Sequence, residues 1–421
     1  MNYQRTQKTL ISIFFIAAIF LFIVVYIGNL KLVENYGGGQ DFFFQWTNAR
    51  TFLVNGFSPY QQEAQFVIKQ NAVLGGYSFD FSLPVEVQPL YGLIIYFPFV
   101  LLKSFPHAFA AWLMLNESLL VFTFWLLYRL LEWKGSKLLY IFAALSVVLW
   151  KNILNLMISG SDAILFLFFI VAILYSLRHH MEELAGVLLA ILSVKIYLLW
   201  IPLIFLIVFC IQKHYRKTIF WMLASLILVS ASLMLLDGAW VRQYLVAILT
   251  KIILMPHNVF KAVSFGSLFN ETYFGYLPVA LESVFLTFGI RLGNILTFLM
   301  FVLLVVESAS MAKRDEKGVV WLVSLSIVLG TWMGINSKQE WFVYYAIPLI
   351  LFISLIHDRW KEKGLLVYWI TPLIILGINW GVFSAQNQTG LLVFGFYPGL
   401  FLVMLYWIRW WALSRNFLVY E

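Results

Sequence analysis

Charge is the scarcest property of this chain. Asp, Glu, Lys and Arg make up 11% of its 421 residues, against about 25% in an average soluble protein. Cysteine is scarcer still. The one cysteine, Cys210, cannot form an internal disulfide, and it lies in an apolar run. A secreted disulfide scaffold is thereby excluded. The phosphate cradles G-x-x-x-x-G-K-[ST] and G-x-G-x-x-G are missing, so nucleotide phosphates have no ready site. H-E-x-x-H and G-x-S-x-G are missing too, which removes the zinc-peptidase helix and the hydrolase elbow. No repeat of fixed period and no low-complexity linker is visible.

Apolar side chains fill the space that charge leaves. Hydrophobic residues reach 62%, aromatics 19%, and the mean hydropathy is +0.88. A soluble fold cannot hide that much apolar surface, so the bilayer must solvate most of the chain. The net charge of +8 and a pI near 9.3 would hint at nucleic acid in a soluble protein. Here the basic residues gather in short turns between apolar runs. That is the pattern that orients a membrane protein, and nucleic acid is set aside as a partner.

The first apolar run, Leu10 to Gly28, follows Arg5 and Lys8, and no A-x-A cleavage site comes after it. It reads as an uncleaved spanning helix with a cytoplasmic N-terminus. Further spans are predicted at 108–131, 138–151, 160–177, 184–212, 218–236, 292–312, 318–335, 341–357, 364–380 and 391–409. Five basic clusters should face the cytoplasm: 129–137, 213–217, 313–317, 359–363 and 409–415. The C-terminus then lies inside as well. The sparsely basic connections 31–107 and 237–291 become outward loops. Two apolar stretches inside them, 88–104 and 277–290, read as juxtamembrane or re-entrant helices, with an ordinary span at 88–104 the main competitor. The 184–212 run must cross twice, turning near Lys195, for both its flanks to be cytoplasmic. The predicted fold is all-α: one polytopic transmembrane bundle over 1–421, with about 12 spans and short juxtamembrane helices in its outward loops.

Polar chemistry then falls on the outward side. Gly37-Gly38-Gly39 turns the chain just beyond the first helix and delivers Asp41, followed by Phe42-Phe43-Phe44. A carboxylate beside an interface-seeking run sits where a lipid-linked substrate presents its head group, and can act there as a general base. Taken alone, it reads more readily as the cap of a helix starting at Phe42. Lys195, deep in an apolar run, needs an anion or a wet cavity, or it must snorkel. Asp162, in Ser159-Gly160-Ser161-Asp162, opens the 160–177 helix; capping is favoured over binding sugar hydroxyls. His257, Asn258 and Lys261 together suit a phosphate or a sugar. Lys338 lies in a short polar cluster, Ser337 to Trp341. His179-His180 lacks the companions of a metal site, and no metal ligand is assigned.

Three stretches resemble the GT-C glycosyltransferases, and more narrowly the family 87 polyprenyl-phosphate-dependent mannosyltransferases. One is Gly38-Gly39-Gln40-Asp41 running to Gly56-Phe57-Ser58-Pro59-Tyr60. Another is Gln88-Pro89-Leu90-Tyr91 with Phe97-Pro98-Phe99. The last is Ala185-Gly186 through Lys195-Ile196-Tyr197, with Ile196 where the family often has proline. The family's Gly-Gln reads Gly160-Ser161-Asp162 here, and its late histidines read Tyr344-Tyr345. The resemblance implies transfer of a hexose, mannose favoured, from a polyprenyl-phosphate donor to a lipid-linked or glycan acceptor on the outer face of the cell membrane. The course would be inverting. Asp41 would be the base, and Lys195 or Lys261 would stabilise the leaving phosphate. Tyr60, Asp162, His257, Asn258 and Lys338 complete the expected donor-binding set. Bound Mg²⁺ or Mn²⁺ occurs in the wider class, but no ligand set is specified. The rival readings are a multi-pass transporter or lipid flippase, with Lys195 as a pathway charge, and a polymerase or ligase of lipid-linked glycans.

Overall fold

The structure is a computed structural model that describes residues 2–77, 79, 88–254, 292–311, 316–333, 339–384 and 396–412. Every regular element among the described residues is helical. The chain divides into two compact units.

The first unit comprises 1–86, 92–121 and 156–162. Its first helix, α1 (Asn2–Tyr36), runs about two turns beyond the expected end of the span. From Ile19 to Tyr36 only 11% of it is buried, and Phe20 to Val24 are exposed. Such a face suits lipid rather than protein. A polar tie holds it: Asn29 Nδ2 donates to Glu117 Oε2 at 2.9 Å. Two short helices follow, α2 (Gln40–Asn55) and α3 (Gln62–Leu74). The 88–104 stretch is not one helix. A 3₁₀ turn, Leu90–Tyr96, runs into a single turn, α4 (Phe97–Val100), with Pro98 near its start. At Leu90–Val100 this stretch is too short to span, as the juxtamembrane reading requires. Trp46 Nε1 donates to Phe99 O at 2.9 Å and ties α2 to α4.

The second unit comprises 87–91, 122–155 and 163–421. Helix α5 (Phe105–Leu130) contributes its residues up to Val121 to the first unit and the rest to the second. The second unit then contains α6 (Lys137–Val148), α7 (Lys151–Ser159, whose end belongs to the first unit), α8 (Ala163–Arg178), α9 (Glu182–Leu192) and α10 (Ile196–Gln212). After them come α11 (Arg216–Met234), α12 (Trp240–Leu254), α13 (Leu292–Met311), α14 (Glu316–Met333), α15 (Ala346–Trp360), α16 (Leu365–Ser384) and α17 (Tyr397–Ala412). A 3₁₀ turn, Gln339–Tyr345, leads into α15, and the stretch Glu340–Trp360 is 89% buried. Helix α8 and the Ala346-to-Ile356 part of α15 are apolar and buried and form the centre; α11 and α16 are mostly exposed and lie outside.

Among the described residues, five helices are long and apolar enough to cross a membrane, and the bent pair α6–α7 raises this to six. Four more apolar helices in this unit, α8, α10, α13 and α14, fall short of that length in their apolar parts. The 184–212 run is interrupted by a 3₁₀ turn at Ser193–Lys195, but the 11 residues of α9 are too few for the separate crossing that the charge pattern predicts. Small residues let neighbours approach closely. A Cβ on Gly186 would sit 2.4 Å from Thr218 O and 2.8 Å from Trp221 Cβ, so only glycine allows α9 and α11 to touch there.

The basic turns of the second unit come together at one end. Arg178 pairs with Glu132, Lys317 with Asp358 at 2.6 Å, and Lys217 with Glu183 at 3.8 Å. The rings of Trp133 and His357 stack at 6.2 Å. Residues near 132, 178, 317 and 357, separate in sequence, thus share one face of the bundle, as one-sided charge placement demands.

Candidate functional site

In the first unit the site begins with backbone, not side chains. Gly37, Gly38 and Gly39 all have positive φ, at 70°, 98° and 79°, a region that L side chains avoid. Gly39 N–H donates to Ile158 O at 2.8 Å. A Cβ on Gly38 would lie 2.7 Å from that same oxygen. Gly160, at φ 76°, closes the facing loop, where a Cβ would meet Phe42 Cβ at 2.7 Å. The glycine turn and the 158–162 loop therefore touch backbone to backbone.

This contact starts α2 earlier than the sequence predicts. Gly39, not Asp41, is its N-cap residue, and no side chain caps it. The reading of Asp41 as the cap of a helix beginning at Phe42 is thereby corrected. Asp41 lies in the first turn, where a carboxylate is favoured by the helix dipole. It is exposed, while the next eight residues, Phe42 to Ala49, are all buried. Beneath it Phe42 stacks on Phe109 at 5.9 Å and Trp112 at 5.2 Å, and Phe43 meets Phe105 edge-on at 5.1 Å. Such a packed aromatic floor fixes the helix that carries the carboxylate.

Asp162 is in the same unit and is buried. Its Oδ2 accepts a hydrogen bond of 2.9 Å from the Tyr96 hydroxyl. Trp112 Nε1 donates to Gly160 O at 3.0 Å and pins the loop two residues earlier. Asp162 is thus held by a side chain that sequence reasoning did not single out. The usable signal was the proline-bearing stretch, with Pro89 seven residues before Tyr96 and Pro98 two after it. Tyr60 is half-buried in the turn after α2, where Gly56 ends the helix at φ 72°. The Gly56-to-Tyr60 stretch does one local job: it stops α2 and turns toward α3, with Gln61 N–H donating to Ser58 O at 3.0 Å.

Lys195 belongs to the second unit. It ends the 3₁₀ turn between α9 and α10, it is buried, and its Nζ lies 5.9 Å from the centre of the Phe166 ring. Nearby in sequence, Ser193 Oγ and the Tyr91 hydroxyl are 2.9 Å apart. Burial pushes the Tyr91 hydroxyl up, partly offset by the Ser193 bond, so it serves as a neutral donor or acceptor. Tyr91 also meets Trp240 edge-on at 6.4 Å. The Lys195 turn, Tyr91 and the start of α12 therefore share one region of this unit.

His257, Asn258, Lys261 and Lys338 lie outside the described residues, as does 277–290. Among the described residues no three His, Cys, Asp or Glu side chains converge, so none of them form a ready set of ligands for Mg²⁺ or Mn²⁺. The chain matches no protein-family model, no curated protein and no solved structure.

Proposed function

We propose that this protein is a polytopic membrane glycosyltransferase of about 12 crossings that moves a hexose, mannose favoured, from a polyprenyl-phosphate donor. The acceptor is a hydroxyl of a lipid-linked or glycan substrate on the outer face of the cell membrane. The observation that carries this is the placement of Asp41: an exposed carboxylate on the first turn of a helix whose next eight residues are buried. As the acceptor oxygen attacks the anomeric carbon, Asp41 takes its proton, and the bond to the lipid phosphate breaks on the opposite side. Inversion follows from that single displacement. The departing phosphate gains charge that a cation must offset.

The test is sugar release in proteoliposomes loaded with radiolabelled polyprenyl-phosphate mannose and a membrane extract as acceptor source. Wild type should consume donor, and Asp41→Asn should not. A second reading, a transporter, draws on the two helix breaks, at 149–150 and at 193–195. It predicts donor movement across the bilayer without sugar release, and the same rate for Asp41→Asn. Orientation is tested separately with single cysteines. Native Cys210 is buried, so an impermeant maleimide reports the introduced thiol. It should reach Tyr36→Cys and miss Lys134→Cys from outside intact cells; the reverse pattern inverts the topology.

A further inference from the structure

The break between α6 and α7 gathers polar groups inside the spans, and the donor reading gives it no role. The two helices meet at 56°. A bend of that size frees backbone groups, which in a bilayer must find partners. Two come from α16: Asn379 Oδ1 accepts from Lys151 N at 2.8 Å, and Trp380 Nε1 donates to Leu149 O at 2.9 Å. The first bond fixes which end of the Asn379 amide is oxygen. Its Nδ2 therefore donates, to Asn152 Oδ1 at 2.8 Å and to the Tyr397 hydroxyl at 3.2 Å. That in turn fixes Asn152, whose Nδ2 is left fully buried with no acceptor among the described residues.

Lys151 stands at the same point. Its amine donates to Ser384 Oγ at 2.8 Å and lies 5.6 Å from the centre of the Trp380 ring. Both partners are neutral, and no carboxylate pairs with it among the described residues. The break thus gathers an ammonium, a buried amide donor and the N-terminal turn of α7, with no anion to match. The neighbouring exposed side chains are Leu145, Leu149 and Trp380, an apolar rim of the kind that faces acyl chains. Ser384 ends α16, a helix of 20 residues, which at 1.5 Å per residue is about 30 Å, the thickness of the hydrocarbon core. The ammonium therefore lies level with the head groups, on the end of the bundle opposite the basic turns.

We propose that the α6–α7 break is a binding site for the phosphate of a membrane lipid, held by Lys151 with Asn152 beside it and entered sideways from the bilayer past Leu149 and Trp380. The site depends on no sugar chemistry and stands whether or not the transferase reading does.

The test uses the full chain in neutral detergent, with dioctanoyl phosphatidic acid, dioctanoyl glycerol and inorganic phosphate as probes. Native mass spectrometry should show one phosphatidic acid retained by wild type. Lys151→Gln, which keeps the backbone bond to Asn379, should weaken retention at least tenfold. Lys363→Gln, at the basic end, should leave it unchanged and controls for general attraction of anions. Thermal melting of each variant without lipid separates loss of the site from loss of the fold. Equal retention by Lys151→Gln and wild type overturns the proposal. Saturation by inorganic phosphate at the same concentration overturns the lipid as occupant, as does equal retention of the glyceride.

Discussion

Asp41 and Lys195 are the two charged groups on which the functional reading rests, and their settings are opposites. Asp41 is exposed above an aromatic floor, positioned by a turn made of glycine backbone. Lys195 is buried inside the helix bundle of the other unit, at a break in the helical path. An exposed group can be changed with little effect on folding, so a loss of activity reads directly as lost chemistry. A buried charge has shaped its surroundings, and removing it leaves groups that had adapted to it. The consequences for mutagenesis differ accordingly, and each variant below tests that contrast.

The largest effect belongs to Asp41→Asn. Asparagine keeps the shape of the side chain but cannot take the acceptor proton. Turnover should fall by ~10²–10⁴, the usual worth of general-base help. Stability should barely move, because the lost dipole interaction is worth at most about 1 kcal/mol. Melting temperature and turnover measured on one preparation decide it. A normal rate would remove Asp41 from the chemistry.

Gly160→Ala should do the reverse. The new Cβ meets Phe42 and Phe109 within 3 Å, at a φ of 76°. Strain at positive φ adds ~1–2 kcal/mol and overpacking ~1–3 kcal/mol. Detergent melting should drop clearly, and activity should recover at low temperature in whatever fraction stays folded. A variant as stable as wild type would mean that the two loops are not clamped as described.

These two variants also mark what the sequence made legible. Span positions were readable, because uninterrupted apolar runs with basic ends admit few other readings: α5, α11 and α16 fall within a few residues of their expected places. Charge parity placed a turn near Lys195, and a 3₁₀ interruption lies there, but α9 is too short to be the second crossing that parity asked for. Less legible was anything that depends on distant residues meeting. Gly160 looked like a helix start, yet its glycine is required by Phe42, over a hundred residues earlier. Tyr96 gave no hint of Asp162. The α6–α7 bend has no proline or glycine at its corner, and it is held open by Asn379 and Trp380 from far along the chain.

Lys195→Ala is the intermediate case and mixes both readouts. If the ammonium binds donor phosphate, donor use should weaken at least tenfold, since a buried cation is retained for an anion. Lys195→Arg keeps the charge and should restore part of it. An alanine variant with unchanged donor dependence would leave Lys195 as a buried structural cation of the bundle only; its burial already sets the snorkelling reading aside.

The smallest effect separates the two roles left open for Asp162. The Tyr96 hydroxyl holds its carboxylate at 2.9 Å in a buried setting. Tyr96→Phe removes that donor and should cost ~1–3 kcal/mol, the range for a hydrogen bond to a charged group. Asp162→Asn is subtler, because an amide oxygen still accepts from Tyr96. If Asp162 is a strut between the 158–162 loop and the turn at Tyr96, the asparagine variant should fold and turn over normally, while Tyr96→Phe loses stability alone. If instead the carboxylate grips sugar hydroxyls, Asp162→Asn should raise KM for donor several-fold with melting unchanged. The buried position of Asp162 and its bond to Tyr96 favour the strut. A raised KM in Asp162→Asn with normal melting would move Asp162 out of the framework and into the sugar site, beside Asp41 in function as well as in the same unit.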